Sequence, residues 1–580
     1  MKKLLFVFSF LISFLFANAQ SWLWGRQAIP KLGAQGDLNS DHPVAVDASG
    51  NAYMTGVFFD TLNFGTFALT SSFESMFLAK YDEYGNVLWA KQAKNLNSLS
   101  FGMGNSVAID RSGNVYVTGI FYDTISFGSI KISVQSSFSN VFLAKYDPLG
   151  NVIWAKQTIP SSNKSYGYGY SVAIDNSGNP YITGAFHDTI SFGAFTLISS
   201  ASQGDVFLTK YDANGNVLWA KQANNISSSS FGNGASVATD ASGNVYITGT
   251  FNDTLSFGAY TLISSPFQSA FKGDVFLTKY DASGNVLWAK QANMTTNTGS
   301  SSEATSIAID GLGNVYITGA FNGSYTFGSF SLGPSSGAFL VKYNAAGDVL
   351  WAKQTEIDGL SQWGGYSVAS DTLNRGGGYI VMESSNGSPF NLKFGIDTFN
   401  LNNNNQTATV IIQFDSSGSI LRGSIFSEGS EDDGDGIGVD RTGQHVYVAG
   451  DLENITIFTS DTLIPIGEIP FIALWQTSIW DSLTNAAYKD RCVFVPNAFS
   501  PNGDEQNDIL YVKGLCIKTM DFVIFDRWGN KVFESENINT GWDGTYKGKP
   551  MNSGNFVYYI TGTLYDGTTF KKQGSIALIR

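Results

Sequence analysis

The stretch Ser236-Val-Ala-Thr-Asp-Ala-Ser-Gly-Asn-Val-Tyr-Ile-Thr-Gly-Thr-Phe251 decides the fold, because the chain keeps returning to it. Its aspartate-and-turn core recurs as Asp47-Ala-Ser-Gly-Asn, Asp110-Arg-Ser-Gly-Asn, Asp175-Asn-Ser-Gly-Asn, Asp240-Ala-Ser-Gly-Asn and Asp310-Gly-Leu-Gly-Asn. Worn copies stand at Asp371 and at Asp440-Arg-Thr-Gly-Gln, and successive anchors are 63, 65, 65, 70, 61 and 69 residues apart. A fixed period of this kind is one supersecondary unit repeated in space. What every copy shares is most simply architecture, so chemistry belongs where the copies differ.

Working outward from Phe251, Asp253-Thr-Leu-Ser-Phe-Gly258 and Tyr260-Thr-Leu-Ile263 read as an extra small hairpin. Val275-Phe-Leu-Thr-Lys-Tyr-Asp281 is a third main strand, and after another Ala-Ser-Gly-Asn turn Val286-Leu-Trp-Ala-Lys-Gln291 is a fourth. The turn glycines supply the positive φ that short hairpin loops need, and Asp bonds to its own turn backbone. Four antiparallel strands that are apolar on both faces suit a propeller blade packed between two neighbours. The fourth strand repeats as Leu88-Trp-Ala-Lys-Gln, Ile153-Trp-Ala-Lys-Gln, Leu218-Trp-Ala-Lys-Gln, Leu287-Trp-Ala-Lys-Gln and Leu350-Trp-Ala-Lys-Gln. The seventh copy stops after Phe471-Ile-Ala-Leu-Trp475, whereas Trp22-Leu-Trp-Gly-Arg-Gln27 stands alone near the start. An orphan outer strand at one end and a gap at the other predict a closed ring of seven blades over residues 20–476. Lys91, Lys156, Lys221, Lys290 and Lys353, with Arg26, are expected to guard the outer edges against strand addition.

These repeats resemble the secreted seven-bladed β-propeller repeat family, whose pattern is S-x-A-x-D-x-x-G-N-x-Y-x-x-G followed by D-x-F-x-x-K-Y-D-x-x-G-x-x-x-W. Copies two to five match almost throughout. The resemblance implies a fold and an exported setting, and it brings no catalytic residues.

Residues 1–19 carry Lys2 and Lys3, an apolar run Leu4–Phe16 and a small-x-small Ala17-Asn18-Ala19, the pattern of a signal peptide cleaved before Gln20. That run is too short to span a bilayer comfortably, and no later stretch reaches the ~20 apolar residues that a membrane-spanning helix needs. Charged residues are only 14% of the chain and aromatics another 14%, a balance that suits β-structure with tight turns. The net charge of −14 argues against nucleic acid, whose phosphates require a basic surface.

After a linker at 477–491 the composition changes, and alternating apolar runs with Asn-Gly and Asp-Gly turns read as a small Ig-like β-sandwich over 492–580. Pro496-Asn-Ala-Phe-Ser-Pro-Asn-Gly-Asp504, Phe525-Asp-Arg-Trp-Gly-Asn530, Gly541-Trp-Asp-Gly544 and Gly554-Asn-Phe-Val-Tyr-Tyr-Ile560 resemble the gliding-motility-associated C-terminal domain, the type B sorting domain of type IX secretion. The resemblance implies that the secretion machinery of a member of the Bacteroidota recognises residues 492–580 and delivers the protein to the cell surface or the medium. The two cysteines, Cys492 and Cys516, are expected to form a disulfide in an exported protein, closing a loop of about 25 residues for about 3 kcal/mol. Free catalytic thiols are disfavoured because no histidine follows His445.

Candidate chemistry is sparse. His42, His187 and His445 have no metal-pair spacing, and His187 takes the place of Tyr122 and Asn252, as a tolerated loop residue would. The recurrent Asp-Thr pairs from Asp60 onward are read as turn caps. Asp433 and Asp435, in the acidic run before the seventh inner strand, fit either a structural Ca²⁺ site or, preferably, a solvated acidic loop. No other cofactor is expected. The variable segments 94–104, 158–170, 224–234, 293–304 and 355–365 precede the inner strands and are expected to be loops sharing one face. Their aromatics Phe101, Tyr166, Tyr168, Phe231 and Trp363 are the candidate ligand contacts, for carbohydrate or peptide. The expected function is thus an exported binding or adhesion propeller without catalysis. The alternatives are a polysaccharide lyase or hydrolase on the same ring, and a passive surface or gliding-motility component.

Overall fold

The computed structural model describes residues 21–580 except 31–34, 38–42, 135–137, 200–203, 226–229, 265–272, 296–300, 335, 357–361, 371–376, 386–389, 395–396, 402–406, 428–432, 441–442, 444, 453–455, 459–460, 464–468, 477–492, 494, 503–506, 513–516, 539 and 565–568. The leader, the linker, Asp371, His42 and both cysteines of the expected disulfide, Cys492 and Cys516, lie outside the described residues. The chain divides into two compact units, Met1–Thr477 and Ser478–Arg580.

In the first unit, strand pairing among the described residues forms seven four-stranded antiparallel repeats. The fourth shows the pattern plainly: Gly232–Thr239, Val245–Phe251, Asp274–Tyr280 and Val286–Gln291 pair in sequence order. The last repeat is completed by the chain's first strand, Ser21–Gln27, which lies antiparallel to Ile469–Gln476 with Trp24 opposite Leu474 and Gln27 opposite Phe471. A ring sealed in this way leaves no free end at which blades could fray.

The recurring residues are consumed by contacts between and within blades. In the third repeat, Asp175 accepts hydrogen bonds from the backbone of Ser177 and Asn179, the Asn179 amide and the Tyr181 hydroxyl. Lys210 lies 3.4 Å from that carboxylate, sits over the Tyr181 ring and donates to the carbonyl of Ala282 in the next blade. The outer-strand tryptophan Trp219 donates to the same Ala282 carbonyl, and its ring covers Gly284, where no Cβ would fit. Trp89, Trp154, Trp288 and Trp351 repeat the latch on Pro148, Ala213, Ala345 and Ser416, and Trp24 makes it to Glu83 across the seam. Burial pulls the ammonium pKa of Lys145, Lys279 and Lys342 down by more than the paired aspartate pushes it up.

Two further joints were not legible in the repeat pattern. Ser106, Ser171, Ser236, Ser306 and Ser367 each accept from the backbone N–H of the next blade's inner strand, at Val172, Val237, Ile307, Val368 and Ile437. At the seam the motif changes, and Gly436 packs against Pro43, where any side chain would collide. The extra hairpins also clamp neighbours: Thr124–Phe127 pairs with the end of the preceding outer strand (Ile125 opposite Asn95), and Thr254–Phe257 with Asn224 and Asn225. Outer edges are thus partly satisfied by neighbouring blades. The edge lysines correspondingly do more than repel strands: Lys91 and Lys156 lie against the turn glycines Gly150 and Gly215 and help to hold Asp147 and Asp212 below the ordinary carboxylate range.

In the second unit, a five-stranded sheet includes Ile517–Phe525, Lys531–Ser535, Gly554–Leu564 and Thr569–Leu578, with Ala498–Phe499 added parallel to the last. Its cover is a Leu510–Trp542 bridge and the short hairpin Thr545–Tyr546/Lys549–Pro550 in place of a full second sheet among the described residues. Trp542, Phe499, Phe522 and Ile560 share one apolar core between them.

Candidate functional site at the inner-strand ends

The expected face loops run into strand at their C-terminal ends. Phe101–Ile109, Tyr166–Ile174 and Gln362–Ser370 begin inside the segments read as loops. The cause is small-residue alternation: Gly102 and Gly104, or Gly167 and Gly169, let the inner strand lie against the preceding blade, where a Cβ on Gly104 or Gly169 would meet Thr55 or Thr118. Phe101 therefore pairs with Tyr122, Tyr166 with His187, Tyr168 with Ala185, and the Trp363 backbone with Ser384. Phe231 immediately precedes its strand and donates its N–H to Asn252 Oδ1. All five residues are at the same end of their sheets, at the starts of the inner strands.

Between these positions and the anchoring aspartate each inner strand shifts register, as between Gly104 and Ser106, Gly169 and Ser171, or Gly234 and Ser236. A β-bulge frees one residue from pairing and re-aims it. The freed residue differs in each copy: Asn105, Tyr170, Ala235, Thr305 and Tyr366. Two residues earlier stand Met103, Tyr168, Asn233, Glu303 and Gly364. This is where the copies diverge while their joints stay constant.

The third repeat is singular. Tyr166, Tyr168 and Tyr170 follow one another on alternate residues of one strand, all half-buried. The Tyr168 and Tyr170 rings are parallel at 5.9 Å and 4°, and Tyr166 meets Tyr168 edge-on at 5.8 Å. His187, read from sequence as a tolerated loop residue, instead ends the strand Pro180–His187 and stacks on Tyr166 at 4.9 Å and 2°. Phe138, from the preceding blade and 46% exposed, closes on Tyr166 at 5.7 Å. Beside Gly169, between the last two tyrosines, Asn105 donates to the Gly169 carbonyl. Neither Asn105 Oδ1 nor His187 Nδ1 has a hydrogen-bond partner among the described residues. Only the i, i+2, i+4 spacing of Tyr166, Tyr168 and Tyr170 could have announced this cluster in the sequence.

The acidic side differs. Glu303 is solvent-accessible yet hemmed in by protein, and these surroundings push its carboxyl pKa up. Asp433 lies on Asp433–Val439 opposite Asp451, while Asp435 and Asp451 are buried. The stretch read as a solvated loop thus enters a strand at Asp433, and Asp435 is only 8% exposed. Among the described residues no group of three or more His, Cys, Asp or Glu gathers to hold a metal.

Fold and site define an all-β repeat propeller that ends in a separate small β-unit. Comparison with known proteins gives both parts a family likeness. Residues 493–578 match the family model of the type IX secretion signal domain, and residues 287–324 match that of the β-propeller repeat. The C-terminal match marks the chain for export to the cell surface or the medium, and no helix of the described residues is long and apolar enough to cross a membrane. An uncharacterized WD repeat-containing protein of Acanthamoeba polyphaga mimivirus is 25% identical over 447 residues, 64% of this chain and 30% of that protein. Among solved structures, the WD40 repeats of RRP9 align over 78% of this chain and 100% of theirs at 8% identity and a TM-score of 0.36. A Bacteroides caccae protein of unknown function aligns over 60% and 89% at 13% identity and a TM-score of 0.28.

Proposed function

We propose that this exported propeller is a binding module that holds an extracellular ligand at the inner-strand ends without transforming it. One observation carries the reading. The residues that recur are used up in blade-to-blade joints, whereas the residues that vary collect at one end of the inner strands. Variation on a rigid ring is how propeller-type scaffolds acquire ligands. The test is a screen of the exported protein against soluble polysaccharides and extracellular proteins. The expected result is saturable binding, lost on Phe101→Glu, Tyr168→Glu or Phe231→Glu, with the ligand recovered chemically unchanged. Binding that none of these substitutions disturbs would refute the site.

A glycan-cleaving enzyme is the second reading, and Glu303 favours it. Its surroundings push its carboxyl pKa up, and a carboxyl that stays protonated to higher pH than usual suits general acid catalysis. On this reading products accumulate from a polysaccharide substrate and Glu303→Gln abolishes them. On the first reading Glu303→Gln changes nothing but affinity.

A further inference from the structure

The proposal rests on the binding reading above and deepens it: we infer that the tyrosine ladder of the third repeat is a stacking platform for a neutral glycan chain. The aromatic rings are not needed to hold the blade together. The sibling strands keep the same bulge, the same serine joint and the same glycine packing with Asn233 and Ala235, or Glu303 and Thr305, at the corresponding positions. Tyr168 and Tyr170 are therefore surplus to architecture.

Their arrangement suits sugars. The Tyr168 and Tyr170 rings are parallel with centroids 5.9 Å apart, a spacing comparable to successive pyranose rings in an extended glycan, and Tyr166 stands edge-on beside them. Aromatic faces cover the apolar C–H faces of such rings. His187 Nδ1 and Asn105 Oδ1 lie within the same cluster, both enclosed by protein and without partners among the described residues. Charge selects against anionic chains, since residues 20–476 hold 37 acidic and 21 basic side chains.

The experiment titrates the exported full-length protein with cellohexaose, laminarihexaose, xylohexaose and mannohexaose, with polygalacturonate as an anionic control. Tyrosine difference absorbance and calorimetry are the readouts. At least one neutral hexasaccharide should bind saturably and perturb tyrosine absorbance. Tyr166→Ala and Tyr168→Ala should each weaken that binding about tenfold, Tyr168→Phe should retain it, and the thermal midpoints of the variants should match the parent. Two results overturn the inference: none of the four neutral hexasaccharides binds, or binding survives the Tyr166→Ala/Tyr168→Ala double substitution. If a protein ligand instead binds and is lost with Tyr168→Glu, the glycan inference falls while the binding face stands.

Discussion

The phenol of Tyr447 donates its hydrogen bond to the carbonyl oxygen of Gly50, 397 residues earlier in the chain. In the third repeat the equivalent tyrosine bonds its own aspartate; at the joint between the second and third it reaches forward as well, Tyr116 sharing its one O–H between Asp110 and the Gly178 carbonyl. Tyr447 makes the forward bond across the one joint where sequence continuity cannot help, and burial raises its pKa far above that of a free phenol. Trp24 packs edge-on against the same tyrosine at 6.0 Å. Apart from the Gly436–Pro43 contact in place of the serine joint, the seam thus reuses the tyrosine and tryptophan contacts of the other joints, drawn from the two ends of the propeller unit.

A first prediction follows from that seam. Trp24 is 1% exposed and both packs and donates across the joint. Trp24→Ala should cost about 3–5 kcal/mol, as deletion of a buried tryptophan generally does. Trp24→Phe, which keeps the packing and loses the bond to Glu83, should cost about 1 kcal/mol. Urea unfolding followed by tryptophan fluorescence measures both. Equal and negligible losses would mean that the first strand does not close the ring.

The ion pair inside each blade makes a second, sharper prediction. Lys210 and Asp175 are both largely buried, 3.4 Å apart. Lys210→Met strands the carboxylate and should destabilise by about 3–5 kcal/mol, whereas Lys210→Met with Asp175→Asn should recover much of that loss. A double-mutant cycle by chemical denaturation resolves the coupling. Additive losses would show that the pair is solvated and contributes nothing to the joint.

Third, the turns set the acid limit. Burial pushes the carboxyl pKa of Asp147, Asp212 and Asp281 up, but hydrogen bonds from Asn151, Asn216 and Asn285 and from turn amides outweigh it, so the folded pKa lies below the ordinary value. For an acid depressed in the folded state, the stabilisation is complete above the unfolded pKa of about 3.9 and disappears as pH falls through the folded value. The melting temperature should therefore hold from neutrality to about pH 4 and drop below it. Asp212→Asn should flatten that drop. A melting temperature that rises on acidification would contradict the assignment.

The contrast between what was legible and what was not has a physical cause. Strands, turns and ring closure were written in periodic residues because Asp240, Tyr246, Lys279 and Trp219 must recur wherever the same joint recurs. The role of the small hairpins as clamps was hidden, because Ile125 and Asn95 carry no signature that they will pair across blades. The inner-strand ends were misread as loops for a related reason. Glycine alternation normally signals turns, yet at Gly102, Gly104, Gly167 and Gly169 it permits close approach to the neighbouring blade. His187 was set aside on the strength of its variability, and variability is what a site residue displays among repeats that otherwise serve architecture.

The last prediction concerns the C-terminal unit. Among the described residues its core, from Val495 and Phe499 through Trp542 to Ile576 and Leu578, is one cluster of this unit's own side chains. It also differs in charge, with nine acidic and nine basic residues in 493–580 against the acidic excess of the propeller. The two units should consequently melt independently. Truncation after Thr477 should leave the propeller's transition unchanged in scanning calorimetry while confining the protein to the periplasm of a type IX-competent host, because the export signal matches 493–578. Fusing 478–580 to an unrelated periplasmic reporter should carry that reporter across the outer membrane. Disruption of the shared core by Trp542→Ala, at about 3–5 kcal/mol, should block export of both the native chain and the fusion. Export that persists despite an unfolded C-terminal unit would show that the machinery reads a linear segment and not a folded surface.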